Sequence, residues 1–165
     1  MSNSMKYAVA LAAAMSLTAV SAEAQSGNIN AKATVLAPIT IAQGAELDFG
    51  NVLPGVNKSV AAASGATAGR FDLTGVTGAN VNVSFTLPAN LASGANTLPI
   101  GSWDGCHNTI ANQAGCTGFT PSAGTTSANF VAGALYVYVG GTVSPAGLQP
   151  AGLYQANVTL NAAYF

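Results

Sequence analysis

Charged side chains are scarce in this 165-residue sequence, which has four Lys or Arg and five Asp or Glu. The charged fraction is 5%, against roughly 25% in an ordinary soluble domain. Four basic side chains cannot neutralise a phosphate track, so we expect no binding of nucleic acid. The high net charge that accompanies one common kind of disorder is also missing. The length predicts one folded domain after an N-terminal leader.

Histidine is scarcer still, because His107 is the single one. A Ser-His-acid triad would have to use it, and the sequence contains no G-x-S-x-G. It also contains no P-loop, no dinucleotide-binding glycine motif and no Ca²⁺ loop. We therefore predict a protein that is not an enzyme, with no catalytic residue, no cofactor and no metal site.

Methionine occurs only in the first 15 residues. There, Lys6 precedes an apolar stretch over 7–20, and Ala22-Glu23-Ala24 forms an A-x-A cleavage signal. We predict that residues 1–24 are a signal peptide cleaved after Ala24, with Ala22 as the alternative site. An uncleaved membrane anchor is the competing interpretation. Cleavage would give an exported chain.

Export bears on the two cysteines, Cys106 and Cys116. In an oxidising compartment they should pair and close a short loop. A C-x-x-C redox centre needs two intervening residues, and a metal site needs more ligands than Cys106, His107, Cys116 and Asp104 offer. A structural disulfide is therefore the favoured interpretation.

Apolar residues alternate with polar ones along most of the chain after residue 28, which is typical of half-buried strands. The pattern predicts strands over 28–36, 38–42, 46–50, 70–74, 81–87, 134–139 and 154–164. The region 89–130 is rich in Gly, Ser, Thr and Asn and is predicted to be an elaborated loop with short strands. No stretch carries a helical stripe. We predict an all-β fold, an immunoglobulin-like β-sandwich.

Both ends of the chain carry recognisable motifs. Near the front lie Ala37-Pro38-Ile39-Thr40-Ile41 and Leu47-Asp48-Phe49-Gly50-Asn51-Val52. At the back, an alternating segment comprises Gly152, Tyr154, Ala156, Val158, Leu160, Ala162 and Tyr164. Together these ends resemble pilins of the chaperone–usher route, and the second resembles their C-terminal zipper strand. L-D-F-G-N and V-G-G-T-V also resemble an uncharacterised family of secreted bacterial proteins.

This resemblance implies a sandwich over 37–165 that lacks one strand, which a neighbouring subunit donates. The implied donor is the extension 25–36, whose inward residues would be Ile29, Ala31, Ala33 and Val35. The implied partners are copies of the chain in a head-to-tail polymer, a periplasmic chaperone and an outer-membrane usher. The product would be a surface fimbria that contributes to adhesion or biofilm, with a host receptor unspecified. In the competing interpretation, 28–36 is an edge strand of the chain's own sheet.

An alternative function is a self-contained secreted β-sandwich that recognises a glycan or a surface protein. Aromatic and amide side chains suit sugar recognition, and several lie around the predicted disulfide loop: Trp103, Asp104, His107, Asn108, Asn112 and Phe119. In the competing interpretation, Trp103 packs beneath the loop and the amides are only solvated.

Overall fold

The computed structural model describes residues 25–165. The predicted signal peptide, 1–24, lies outside the described residues. The chain divides into two units at Thr34 and Val35. Within the first unit, residues 25–34 have no regular secondary structure and are exposed.

The second unit, Val35–Phe165, contains ten strands and, over the described residues, no helix. The strands are β1 (Thr40–Ala45), β2 (Lys58–Val60), β3 (Gly69–Thr74), β4 (Asn80–Thr86), β5 (Asn90–Ser93), β6 (Asn96–Asn108), β7 (Thr117–Phe119), β8 (Thr126–Asn129), β9 (Ala134–Val143) and β10 (Thr159–Tyr164).

The strands form two antiparallel sheets that pack as a sandwich. The larger sheet has the order β1-β3-β9-β6-β5, with β2 paired to β9 and β7 paired to β6. The smaller sheet has the order β10-β4-β8. The predicted all-β, sandwich-like fold is confirmed.

The core lies between the sheets and follows the alternation of the sequence. On β4, the buried Val81, Val83 and Phe85 alternate with polar residues. They pack against the inward residues of β9, which are Leu135, Val137 and Val139, and against Leu73, Phe130 and Leu160. Full burial of each such side chain contributes about 1.5–3 kcal/mol.

Strand β9 is covered on both faces, as its dense apolar run predicts. Its other face carries Tyr136 and Tyr138, which pack with Ala62 and the disulfide residues Cys106 and Cys116. We call this side of the larger sheet the outer face. A loop over 61–68 and the disulfide loop over 109–116 cover part of it.

The prediction for region 89–130 was wrong in one respect, because the longest strand, β6, begins there with 13 residues. A bulge between Gly101 and Asp104 shifts its register against β9 and places Ser102 at a φ of 47°. The shift interrupts the alternation that reveals a strand. Gly105 is also required, since a Cβ there would lie 2.5 Å from the ring of Phe119.

Four of the predicted strand segments also differ from the structure. The segments 28–36 and 46–50 have no strand pairing, and the first strand is Thr40–Ala45. At the other end, β10 begins at Thr159 and not at residue 154. Its ladder partner β4 ends at Thr86, opposite Thr159, and Pro88 has no N–H to continue the ladder.

Candidate functional site

The two sheets leave two neighbouring edge strands, β1 and β10, without a second partner in the described chain. β1 pairs only with β3, and β10 pairs only with β4. The segment 46–52 follows β1, with Asp48 N donating to Thr67 O at 3.0 Å. The segment 152–158 leads into β10. Unpaired strand edges offer N–H and C=O groups to an added strand.

A cavity of about 660 Å³ opens between these two segments. One wall is formed by 46–50 with Val52 and the other by 152–158, and the floor includes Phe71, Trp103 and Val139. Protein interiors are normally packed with few voids larger than a water molecule. We call this cavity the edge groove.

Most of the inward side chains of the edge groove are apolar. Leu47 and Phe49 point inward from one wall, and Tyr154 packs with them from the other. Leu91, Leu98, Ile100 and Val143 complete the apolar lining. An extended segment with alternating apolar residues could therefore bury one face here and pair its backbone with a free edge.

The opposite end of the gap between β1 and β10 is closed by Tyr164. Its hydroxyl accepts a hydrogen bond from Val76 N at 2.9 Å and donates one to Ala37 O at 3.0 Å. Its ring packs edge-on against Phe130, with centroids 6.0 Å apart. The groove is thus open at the Ala45 end of β1 and closed at the Thr40 end.

The predicted donor segment, 25–36, pairs with no strand of the described chain. Residues 25–38 are all exposed, and Ile29 and Val35 are 96% and 95% exposed. The other two predicted donor residues, Ala31 and Ala33, are exposed as well. Residues 35–39 enter the fold beside Tyr164, at the end of the sandwich away from the groove.

The predicted zipper residues divide into two sets. Leu160, Ala162 and Tyr164 lie on β10, with Leu160 buried in the core. Gly152, Tyr154, Ala156 and Val158 precede the strand and line the edge groove. A single antiparallel bridge between Gln155 and Ala92 holds this second set. The Tyr154 hydroxyl donates to Pro150 O at 2.8 Å.

The predicted disulfide joins Cys106 to Cys116, with their Cα atoms 5.7 Å apart. Its loop uses its amides internally. The side-chain N–H groups of Asn108 donate to Asn112 O and Ala114 O, and those of Gln113 donate to Ala62 O and Gly65 O. The bond is compatible with an oxidising, exported location.

The structure does not bring the four tentative ligand residues together. Trp103 faces inward, at the floor of the edge groove, and its ring packs over Gly141, where a Cβ would lie 3.3 Å from it. Asp104 faces outward and accepts a hydrogen bond from Ala62 N at 2.8 Å.

His107 and Phe119 do lie together, with ring centroids 6.0 Å apart, and Phe119 stacks on Phe85 of the smaller sheet. Burial lowers the pKa of His107 below its ordinary value. Their packing between the sheets fits a structural role better than a sugar site.

On the outer face, Arg70 and Asp72 form an ion pair with each other. Arg70 binds Asp72 with a nitrogen–oxygen distance of 2.6 Å, and the guanidinium lies 5.9 Å from the Tyr136 ring centroid. The hydrogen bonds that Arg70 donates to Asp72 raise the pKa of Arg70, and burial raises the pKa of Tyr138. Gly44, at the bulge of β1, lies directly over this pair, so that a Cβ there would collide with it.

The resemblance implied a sandwich with one strand missing, and sequence reasoning named several residues of the edge groove but did not locate the groove itself. Comparisons with models of known protein families and with curated proteins gave no match to this chain. Over residues 25–165, no helix is long and apolar enough to cross a membrane. The same residues contain no group of three potential metal ligands.

Proposed function

We propose that this chain is a structural, non-enzymatic subunit of a bacterial surface fimbria that polymerises by donor-strand exchange. The observation that carries the proposal is the edge groove, a cavity of about 660 Å³ that has apolar side chains on its floor and lies beside the free edge of β1. Exposed apolar surface and orphan backbone groups are costly to leave uncovered, so an added strand would stabilise the fold.

The proposed donor is the extension 25–36 of a second copy. Its apolar residues are two apart, so all of them can face the groove at once. The described extension has no strand structure of its own. An exposed apolar segment of this kind gains from burial when it binds.

The polarity of the subunit supports a chain of copies. Residues 35–39 enter at the closed end of the gap between β1 and β10, whereas the groove opens at the other end. A donor at one end and an acceptor at the other make a heterologous contact. Such a contact leaves a free site on each new copy, so it propagates into a filament.

The proposed route to the surface follows the resemblance of the two chain ends to chaperone–usher pilins. The subunit would cross the periplasm with a chaperone covering the groove and would then be assembled at an outer-membrane usher. Phe165, which follows β10, is 66% exposed and is accessible to such a chaperone. Adhesion or biofilm formation would follow from the filament.

The test compares the exported full-length chain with a variant lacking residues 25–36. We expect unboiled samples of the full chain to give a ladder of heat-labile multimers in detergent gels, and the deletion variant to give none. A matched control replaces Ile29 and Val35 with Ser, which keeps the length of the extension but removes its apolar anchors; we expect the ladder to be lost again.

Strand donation is refuted if the deletion variant still forms the ladder. It is also refuted if the full chain, exported beside its own assembly partners, remains a monomer with the same thermal unfolding as the deletion variant. In the second case the sandwich would be self-sufficient.

A further inference from the structure

The alternation of the extension chooses which face enters the edge groove but leaves its register open. Slipping a strand by one residue would turn the apolar face outward. A slip of two residues keeps the same face inward and exchanges Ala31 for Ala33, but it displaces the larger Ile29 and Val35. Among the apolar residues, only Ile29 and Val35 therefore select against such a slip.

The extension carries one charge, Lys32, on its outward face between these two alanines. The groove wall at 46–49 has the matching pattern. Leu47 and Phe49 pack inward, and the residues that alternate with them, Glu46 and Asp48, are exposed. Lys32 of an added strand would thus lie on the same face as these two carboxylates.

The other charged side chains of the described residues already have partners. Arg70 and Asp72 bind each other, Asp104 accepts from Ala62 N, and Lys58 donates to Asn51 O at 3.0 Å. Asp48 accepts from Gly50 N at 2.7 Å.

Among the charged side chains of residues 25–165, only those of Lys32 and Glu46 make no hydrogen bond or ion pair within the described chain. They have opposite signs. One belongs to the proposed donor and the other to the rim of the acceptor groove.

We propose that Lys32 of one copy binds Glu46 of the next and thereby fixes the register of the donated strand. This inference rests on the proposed function. An exposed ion pair contributes little binding energy, but a slip of two residues moves the ammonium by about 7 Å along the strand. The pair therefore strengthens the preference for one register that Ile29 and Val35 already give.

The first experiment is zero-length carbodiimide coupling of multimers assembled from a mixture of ¹⁵N-labelled and unlabelled full chains. This reagent joins an amine to a carboxylate only when the two are in contact. We expect mass spectrometry to find a Lys32–Glu46 cross-link between labelled and unlabelled peptides. A predominant link from Lys32 to Asp48, or no link from Lys32, would overturn the pairing.

The second experiment reverses the charges. We expect K32E and E46K each to lower the multimer yield by about two- to fivefold, and K32E/E46K to restore it. The matched control, K32Q/T34K, keeps the net charge but moves the amine by two residues. We expect it to lower the yield, because contact with Glu46 then requires a slipped register.

The failures of the two proposals are distinguishable. If multimers disappear on deletion of 25–36 but are indifferent to K32E and E46K, strand donation stands and the pairing is overturned. If the wild-type chain forms no extension-dependent multimers, the proposed function fails and the pairing fails with it.

Discussion

The outer face around the disulfide and the edge groove differ in how their surfaces are satisfied. On the outer face, the amides of Asn108 and Gln113 bind backbone carbonyls, and the ion pair Arg70–Asp72 is closed on itself. In the groove, apolar side chains such as Leu47 and Phe49 line a cavity beside unpaired strand edges.

This difference teaches where to look for a partner. Around the disulfide, residue types that suit sugar recognition are used to hold the fold. In the groove, the unmet requirement is for apolar cover and backbone partners, which an added strand supplies. Variants that change one region at a time test whether assembly depends on the groove and stability on the rest of the fold.

The largest expected effect comes from a matched pair of leucines. Leu73 is 1% exposed in the core between the sheets, whereas Leu47 is half-buried in the groove wall. We expect Leu73→Ala to lower the free energy of unfolding by about 2–5 kcal/mol. For Leu47→Ala we expect about 1 kcal/mol, since the area it buries is smaller.

The same leucine pair should have the opposite ranking in assembly. Leu47→Ala should lower the temperature at which multimers separate more than Leu73→Ala does. Leu47 would contact the donated strand directly, whereas Leu73 lies in the core of its own subunit. Urea unfolding and unboiled gels measure the two quantities. If Leu47→Ala left the multimers unchanged, the groove would not be the assembly site.

The second prediction concerns the disulfide. The bonded cysteines are 10 residues apart, and closing a loop of that length contributes about 2–3 kcal/mol. We expect C106A/C116A to lower the free energy of unfolding by this amount and to leave the multimer ladder intact below the unfolding temperature. Loss of the ladder from a still-folded variant would place the disulfide loop in the assembly contact.

Alternation predicted the strands whose one face is buried. Val81, Val83 and Phe85 on β4 and Leu135, Val137 and Val139 on β9 have the period of two that the core requires. It failed for β6, where the bulge after Gly101 and the glycine under Phe119 remove the alternation.

The position of the edge groove could not be predicted from the sequence, for a different reason. Its walls at 46–50 and 152–158 are about a hundred residues apart and meet only through the topology of two sheets. Composition likewise showed that Trp103 and Asp104 are neighbours with suitable chemistry. It could not show that both lie on strand β6, where adjacent side chains point to opposite faces.

The smallest predicted effect is a pH dependence at His107, which packs between the sheets beside the disulfide. Burial lowers the pKa of His107 from its ordinary 6.5, so the unfolded chain binds its proton more readily than the folded chain does. The contribution of this group to stability is therefore complete above pH 6.5 and is lost as the pH falls below it. His107→Gln should remove that part of the pH dependence in urea unfolding measured from pH 8 to pH 5.

The multimer ladder should not respond to the same change in pH, because His107 packs on Phe119 and does not line the groove. If mild acid separated multimers of the wild type but not of His107→Gln, the packing around His107 would take part in assembly, and assembly would not be confined to the groove.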